Sequence, residues 1–202
     1  MNVYTTDKIR NVVLLGHGGS GKTTMVEAMA YLSGITNRMG NVTDGNTISD
    51  YDKEEIKRGF SISTSVVPIE WRETKINLLD TPGFFDFVGE VEEAAADAAI
   101  IVVNGKAGVE VGTQKAWEIC EKYNLPRMIW VTNMDDDNAS FRQVVVDLQE
   151  LYGKKIAPLH LPIRENGQFV GYVNAGKRTE PLIRQMFRIT LSKTWRSAVK
   201  HY

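Results

Sequence analysis

One short segment near the start of the chain limits the possible folds more than any other feature. Residues 16–23 read GHGGSGKT and fit the pattern G-x-x-x-x-G-K-[ST]. The apolar run 11–15 before it predicts a buried strand, and residues 24–32 after it are rich in helix formers. In a strand, glycine-rich turn and helix of this kind, backbone N–H groups and the positive helix N-terminus surround a phosphate. The segment therefore predicts a phosphate-binding loop.

The residues of this loop have separate expected roles. Lys22 reaches the β- and γ-phosphates of a nucleotide, and the Thr23 hydroxyl ligates Mg²⁺. The predicted phosphate contacts are His17, Gly18, Gly19, Ser20, Gly21, Lys22, Thr23 and Thr24.

The order of apolar runs predicts an α/β fold of the P-loop NTPase type. Strands are expected at 60–71, 75–80, 98–104 and 127–131, with helices at 90–97, at 112–123 and from a cap at Asn138 to about 152. Segments 60–71 and 75–80 are separated by a short turn and are expected to pair antiparallel. The remaining strands alternate with helices, which predicts a mostly parallel sheet with helices on both faces.

Two segments between these elements have less regular patterns. Residues 33–50 are rich in glycine and asparagine and predict a mobile loop. Residues 52–59 are charged and end at Gly59. They fit either a short solvated helix with a glycine stop or a switch segment that orders around a γ-phosphate.

Further along, the chain predicts a separate hairpin. The dipeptide Asn166-Gly167 lies between apolar runs and is a strong signal for a tight β-turn. We therefore expect a domain at 1–155, the start of an inserted hairpin subdomain at 156–175 and a tail at 176–202.

Charge and cysteine content exclude several classes of protein. The 202-residue chain has a net charge of −1, which argues against general polyanion binding, and we expect no sequence-specific nucleic-acid binding. Cys120 is the only cysteine, so no intrachain disulfide forms, which suits the cytoplasm. The polar residues 1–10 predict no signal peptide, and no apolar run is long enough to span a membrane.

The tail differs in charge from the rest. Residues 176–202 carry a net charge of +6, against −7 for the preceding 175 residues. Three interpretations remain open. The tail is an artefactual end from a truncated or shifted reading frame, a helix that covers a sheet edge, or a segment that binds RNA or a membrane surface.

A second motif falls at the end of a predicted strand. Residues 80–83 read DTPG and match D-x-x-G. In this motif Asp80 holds Mg²⁺ through water and the Gly83 N–H meets the γ-phosphate. The carboxyl end of a strand is also where doubly wound sheets place groups that bind ligands.

Four motifs in one order resemble the GTP-binding domain of translational GTPases, most closely elongation factor G and its paralogues. They are GHGGSGKT at 16–23, RGFS at 58–61, DTPG at 80–83 and TNMD at 132–135. The resemblance covers about residues 8–175. Ribosome-protection proteins of tetracycline resistance share these motifs, so the subfamily stays open.

The resemblance implies site residues, cofactors and partners. Ser61 occupies the position of the switch I threonine, which makes Thr23, Ser61 and Asp80 the implied Mg²⁺ ligands. Lys22 and Gly83 are the implied catalytic groups. The implied guanine-binding residues are Thr132, Asn133 and Asp135. Asp135 accepts from guanine N1–H and the 2-amino group, which adenine lacks. The implied ligands are GTP or GDP with Mg²⁺, and the implied partner is the ribosome.

The sequence also departs from the family pattern. Phe84 stands where elongation factor G has the histidine that positions the attacking water. Thr132 and Asn133 replace asparagine and lysine, and each loss costs on the order of 1 kcal/mol of guanine binding. Gly19 replaces an aspartate. The family's fifth motif has no counterpart, because Ser197-Ala198, the only such pair, follows no apolar strand.

Three functions follow in order of preference. The first is Mg²⁺-dependent GTP binding with hydrolysis stimulated by the ribosome, in which switch I at 40–65 and switch II at 81–90 order with GTP. The second is a guanine-nucleotide-binding or ribosome-docking module that does not hydrolyse GTP. The third is an ATP-using P-loop enzyme, against which Asp135 and the switch spacing count.

The aromatic residue in switch II predicts slow GTP hydrolysis. We expect Phe84→His to raise ribosome-stimulated hydrolysis by about ten-fold or more, because imidazole restores a polar group that orients water. Phosphate release with ribosomes measures the rate. Phe84→Leu is the control and should keep the original rate. An unchanged rate in Phe84→His would contradict this role.

Overall fold

A five-stranded sheet forms the centre of the first of two units, Met1–Asp147 and Leu148–Tyr202. The computed structural model of the chain describes residues 2–49, 51–83, 96–165 and 168–175. Residues 90–95 of the helix expected at 90–97 lie outside these ranges, as does Phe84, and the described residues 96 and 97 are not helical. The boundary expected at residue 155 stays a prediction.

The described residues form seven strands, four helices and three short 3-10 turns. The strands are β1 Ile9–Gly16, β2 Ser65–Trp71, β3 Thr74–Asp80, β4 Ala98–Asn104, β5 Arg127–Thr132, β6 His160–Glu165 and β7 Gln168–Asn174. The helices are α1 Lys22–Leu32, α2 Lys53–Arg58, α3 Val111–Lys122 and α4 Phe141–Tyr152. Short 3-10 turns lie at Thr6–Lys8, Val42–Asp44 and Gly153–Lys155.

The strand order of the large sheet is β2-β3-β1-β4-β5. Strand β1 pairs in parallel with β3 and β4, and β4 pairs in parallel with β5. Of the five strands described in this sheet, only β2 runs antiparallel to its neighbour, β3, as the short turn between them predicted. The mostly parallel α/β sheet is therefore confirmed.

Helices cover both faces of this sheet. The core on one face joins β1 to β4 with α1, and its buried members are Leu14, Met25, Val26, Ala30, Val67, Ile69, Leu78, Ile100 and Val102. Side chains alternate along a strand, so Val13, Leu15, Ile101 and Val103 are buried on the opposite face. Helix α3 packs on β1 and β4 and contributes Trp117 and Cys120, both of which are buried.

The start of β2 differs from the sequence-based expectation. The strand predicted from residue 60 begins at Ser65. The N–H groups of Ile62 and Ser63 donate to the Glu55 carboxylate instead of to a neighbouring strand. The predicted start of β2 is therefore wrong, because the Glu55 carboxylate takes the hydrogen bonds of the residues before Ser65.

The predicted cap of α4 is also wrong, because Asn138 does not cap this helix. Helix α4 begins at Phe141, and the preceding Ser140 hydroxyl accepts from the Gln143 N–H at 3.2 Å. Both nitrogens of Asn138 donate to the Asp136 carboxylate, at 2.8 and 3.2 Å. Asn138 therefore closes the turn before the helix, and Ser140 occupies the capping position.

The loop expected at 33–50 has defined attachment points. The buried Glu27 carboxylate of α1 accepts from the Gly40 N–H at 2.9 Å and from the Ile48 N–H. One acidic side chain therefore holds both ends of the 40–48 segment against α1.

In the second unit, β6 and β7 form the expected antiparallel hairpin. The Asn166-Gly167 turn itself lies outside the described residues. Within the ranges that are described, no helix is long and apolar enough to cross a membrane.

A core substitution tests the sheet packing. Leu78 on β3 is 1% exposed, and we expect Leu78→Ala to lower the free energy of unfolding by about 2–5 kcal/mol, since truncation leaves a cavity. Urea denaturation measures the change. Val66→Ala on the neighbouring strand is the control. Val66 is 59% exposed, so its loss should stay within about 0.5 kcal/mol. Equal losses at the two positions would contradict this packing.

Candidate phosphate and guanine site

The carboxyl ends of the parallel strands meet at one edge of the sheet. The last residues of β1, β3, β4 and β5 are Gly16, Asp80, Asn104 and Thr132. The register places Leu14 level with both Asp80 and Ile100, so these ends lie beside one another. Motifs that are far apart in the sequence therefore converge at this edge.

The turn after β1 has room only for glycine at its first position. Gly16 has φ +146°, and an added Cβ would lie 2.4 Å from the Val102 carbonyl oxygen of β4. The loop then curls around the Lys22 ammonium. Lys22 Nζ donates to the carbonyl oxygens of Gly16 at 3.0 Å and His17 at 2.9 Å. This arrangement holds the lysine at the centre of the loop.

Lys22 is a buried cation, with 6% of its surface exposed. Burial lowers the pKa of Lys22 to about 8, and the negative charges of Asp80 and Glu110 partly oppose that shift. A bound phosphate would add negative charge beside the ammonium and would favour its protonated form.

The switch II residue Gly83 passes directly over the loop. A Cβ at Gly83 would lie 2.6 Å from Lys22 Nζ and 2.6 Å from Gly18 Cα. No larger residue fits without a shift of the backbone. The two residues to which the sequence assigned catalytic roles, Lys22 and Gly83, are therefore neighbours.

The proposed Mg²⁺ ligands supply hydroxyl and carboxylate oxygens. Thr23 Oγ1 and Ser61 Oγ are 3.3 Å apart, although 38 residues separate them. Adjacent oxygens on an octahedral Mg²⁺ ion with bonds of about 2.1 Å are about 3 Å apart, so this spacing suits one shared ion. Asp80 is 1% exposed and close enough to Lys22 to affect its pKa. The donor set fits Mg²⁺, which prefers oxygen ligands.

Thr132 contacts the phosphate loop directly. Its hydroxyl donates to the Ser20 carbonyl oxygen at 2.7 Å and to that of Val103 at 3.2 Å. Its side chain also lies 3.4 Å from the position of a Cβ on Gly21. Thr132 thus links the guanine motif to the loop at 16–23.

The other two guanine-motif residues face solvent. Asn133 has φ +53°, a left-handed conformation that turns the chain after β5, and both Asn133 and Asp135 are exposed. Asp136, beside them, is held in place. The pKa of Asp136 is lowered chiefly by a hydrogen bond from the Asn138 N–H. The Lys106 ammonium, 3.1 Å from the carboxylate, lowers it further.

Three acidic residues near the site were not assigned roles from the sequence. Glu110 Oε1 lies 3.5 Å from His17 Nε2 of the loop. Glu27 and Glu55 are 1% and 3% exposed, and both accept backbone hydrogen bonds from the 40–63 region. The sequence contains a signal for each of the two buried residues, Glu27 and Glu55. Glu27 lies within the apolar stripe of α1, and Glu55 stands three residues after Asp52 in a capping-box pattern.

The buried lysine predicts an unusual dependence of stability on pH. Between pH 8 and 10.5 the folded chain has released the Lys22 proton while the unfolded chain retains it, so stability rises with pH in this window. Relative to Lys22→Met, the free energy of unfolding should rise by about 3 kcal/mol across the window. Denaturation at several pH values measures it.

The control for this measurement is an exposed lysine. Lys115 is about half exposed, so the difference between the wild type and Lys115→Met should stay flat over the same pH range. A flat difference for Lys22→Met as well would show that the ammonium is not buried in the folded chain.

Comparison with known proteins agrees with these motifs. Residues 7–194 match the family described as the elongation factor Tu GTP-binding domain. The chain is 41% identical over 169 residues to the mitochondrial ribosome-releasing factor 2 of Anopheles gambiae, covering 83% of this chain and 23% of that protein. It is 36% identical over 176 residues to elongation factor G of Granulibacter bethesdensis, covering 86% of this chain and 25% of that protein.

Solved structures show the same fold. A crystal structure of a Thermus thermophilus protein superposes with a TM-score of 0.79 at 38% identity, covering 89% of this chain and 29% of that one. A bacterial selenocysteine-specific elongation factor superposes with a TM-score of 0.57 at 20% identity, covering 73% of this chain and 24% of that one. This second likeness shows the fold alone.

The sequence spans about a quarter of the length of these curated relatives. The similarity therefore covers only part of each of these two proteins. The family match and the identities agree with the resemblance found in the four motifs. The chain belongs to the translational GTPases that carry the elongation factor Tu GTP-binding domain, and it is similar to elongation factor G within that family.

Proposed function

We propose that this chain binds GTP and GDP with Mg²⁺ at the 16–23 loop and hydrolyses GTP when it engages the ribosome. The observation that carries the proposal is the convergence of Thr23 and Ser61, whose hydroxyl oxygens are 3.3 Å apart. It joins the phosphate loop to the switch I segment at the place where a γ-phosphate and its metal ion would lie.

The phosphate groups would be held by the chain's own donors and charges. Backbone N–H groups of the loop and the N-terminus of α1 would surround them, and Lys22 adds a positive charge there. The Gly83 N–H would supply a further donor for the γ-phosphate. These groups favour the charge that develops on the transferred phosphoryl group, because they are already in place before the reaction.

Thr23, Ser61 and Asp80 are the residues that would hold Mg²⁺. When bound, the ion neutralises negative charge on the β- and γ-phosphate oxygens. The burial of Asp80 and the short distance between the two hydroxyls support this assignment.

Guanine would be selected by Asp135. An exposed carboxylate at this position accepts from guanine N1–H and the 2-amino group. Thr132 and Asn133 supply fewer contacts than asparagine and lysine would, so we expect weaker guanine binding than the family pattern allows. The Thr132 hydroxyl instead fixes the motif to Ser20 of the loop.

The ribosome and the compartment enter the proposal through the relatives. The names ribosome-releasing factor 2 and elongation factor G connect those proteins with ribosomes and with translation. We place the action of this chain beside ribosomes, in the cytoplasm as the sequence predicted. A second candidate, a module that binds nucleotide without hydrolysis, is favoured by Phe84 and the altered guanine motif.

A nucleotide titration tests the binding proposal. Fluorescent GDP and GTP with Mg²⁺ should bind, and ATP should bind at least about 100-fold more weakly, because adenine leaves the Asp135 carboxylate without its donors. Asp135→Asn should weaken guanine nucleotides by roughly ten-fold or more. The matched control is Asp137→Asn, an exposed neighbour that should have no effect.

Phosphate release then separates the two candidates. Hydrolysis of GTP that rises on addition of ribosomes supports the GTPase, and tight GTP binding without release supports the non-hydrolysing module. Tight binding of ATP with no binding of guanine nucleotides would overturn both.

A further inference from the structure

Glu55 is a buried carboxylate in a helix that is otherwise exposed. Helix α2 contains Glu54, Lys57 and Arg58, which face solvent, whereas Glu55 is 3% exposed. Removing a carboxylate from water is costly unless hydrogen bonds compensate the charge. The position of Glu55 therefore requires donors, and the structure supplies them from the switch I backbone.

Three backbone N–H groups point at this carboxylate. Oε1 accepts from Ile62 at 2.9 Å and from Ser63 at 3.1 Å. Oε2 accepts from Asp52 at 3.4 Å and completes the capping box of α2. One side chain thus joins the start of α2 to the residues that immediately follow Ser61.

The chain path explains why these bonds fix Ser61. Helix α2 ends at Arg58 and is followed by Gly59, which has φ +70° and donates its N–H to the Glu55 carbonyl oxygen at 2.8 Å. The chain reverses there and runs back alongside the Glu55 side chain. Ser61 therefore lies between two fixed points, the Gly59 turn and the hydrogen bonds at Ile62 and Ser63.

The position of the Ser61 hydroxyl depends strongly on its backbone. A serine lacks the β-branch that restricts χ1 in threonine, so its hydroxyl depends more on where the backbone is held. With the backbone held as described, Ser61 Oγ reaches to 3.3 Å from Thr23 Oγ1.

We propose that Glu55 is a positioning residue, which places the Ser61 hydroxyl at the Mg²⁺ site and thereby favours GTP over GDP. This inference rests on the proposed function, in which Ser61 contacts Mg²⁺ only when a γ-phosphate orders switch I. Glu55 touches neither nucleotide nor metal. It acts by restricting the conformations of the 60–63 segment before GTP binds. Less conformational entropy is then lost when GTP orders this segment.

The test compares Glu55→Ala with Glu54→Ala in the full 202-residue chain. Glu54 is the adjacent acid on α2, is 57% exposed and pairs only with Arg58 among the contacts described for its side chain. Affinities for a non-hydrolysable GTP analogue and for GDP are measured over a range of Mg²⁺ concentrations.

Glu55→Ala should weaken the analogue roughly ten-fold and raise the Mg²⁺ concentration needed for half-maximal analogue binding, while GDP affinity stays within about two-fold. Glu54→Ala should match the wild type in all three measurements. Equal losses for the analogue and GDP, or no loss for either, would overturn the proposal.

A second measurement does not depend on nucleotide. In the nucleotide-free chain, amide hydrogen exchange across residues 60–64 should be faster in Glu55→Ala than in Glu54→Ala, because two N–H groups lose their acceptor. Unchanged exchange would refute the positioning role even if the wild type bound no GTP. Failure of the wild type to bind guanine nucleotides would instead count against the proposed function.

Glu55→Gln keeps the test decisive if Glu55→Ala does not fold, as judged by circular dichroism. A glutamine retains one carbonyl oxygen that accepts hydrogen bonds but loses the charge and the second acceptor. We expect a selective loss of about three-fold for the analogue. Affinities equal to those of Glu54→Ala would overturn the proposal.

Discussion

The parallel pairing of β1 with β3 on one side and β4 on the other is the constraint on which the site depends. Because β1 is central, both of its faces are buried and both of its edges are paired. The chain leaving β1 must therefore turn within a narrow space, and the Val102 carbonyl of β4 excludes any side chain at Gly16. The same pairing brings Asp80 and Thr132 to the turn. Strand register therefore brings together the groups expected to contact phosphate, metal and base.

The second feature on which the site depends is the buried positive charge of Lys22. The ammonium of Lys22 is held inside the loop by two carbonyl oxygens, at a cost that is reflected in its lowered pKa. A cation fixed in a region of low water content interacts more strongly with a phosphate than an exposed one would. The buried ammonium therefore lowers the stability of the folded chain. Because the ammonium is already in position, the site needs little rearrangement when phosphate binds.

Buried carboxylates organise the segments that the sheet does not reach. The described residues 40–49 and 51–63 contain no strand, yet their N–H groups need acceptors wherever they are shielded from water. Glu27 of α1 accepts from the 40–48 segment, and Glu55 of α2 accepts from Ile62 and Ser63. Glu27 thus attaches the 40–48 segment to α1, and Glu55 attaches residues 62 and 63 to α2. The position of Ser61 follows from the second carboxylate.

The sequence by itself determined the sheet, the phosphate loop and the family, because apolar runs report burial and the spacing in GHGGSGKT leaves few alternatives to a strand, turn and helix. Only the tertiary structure decided where β2 begins, since Glu55 takes backbone donors that the local pattern assigns to a strand. It also decided how the motifs contact one another. Hydrogen bonds between distant residues, such as Thr132 to Ser20, have no signature in local composition. A sequence motif names the groups that a site contains, whereas the packing of strands and loops sets the distances between them.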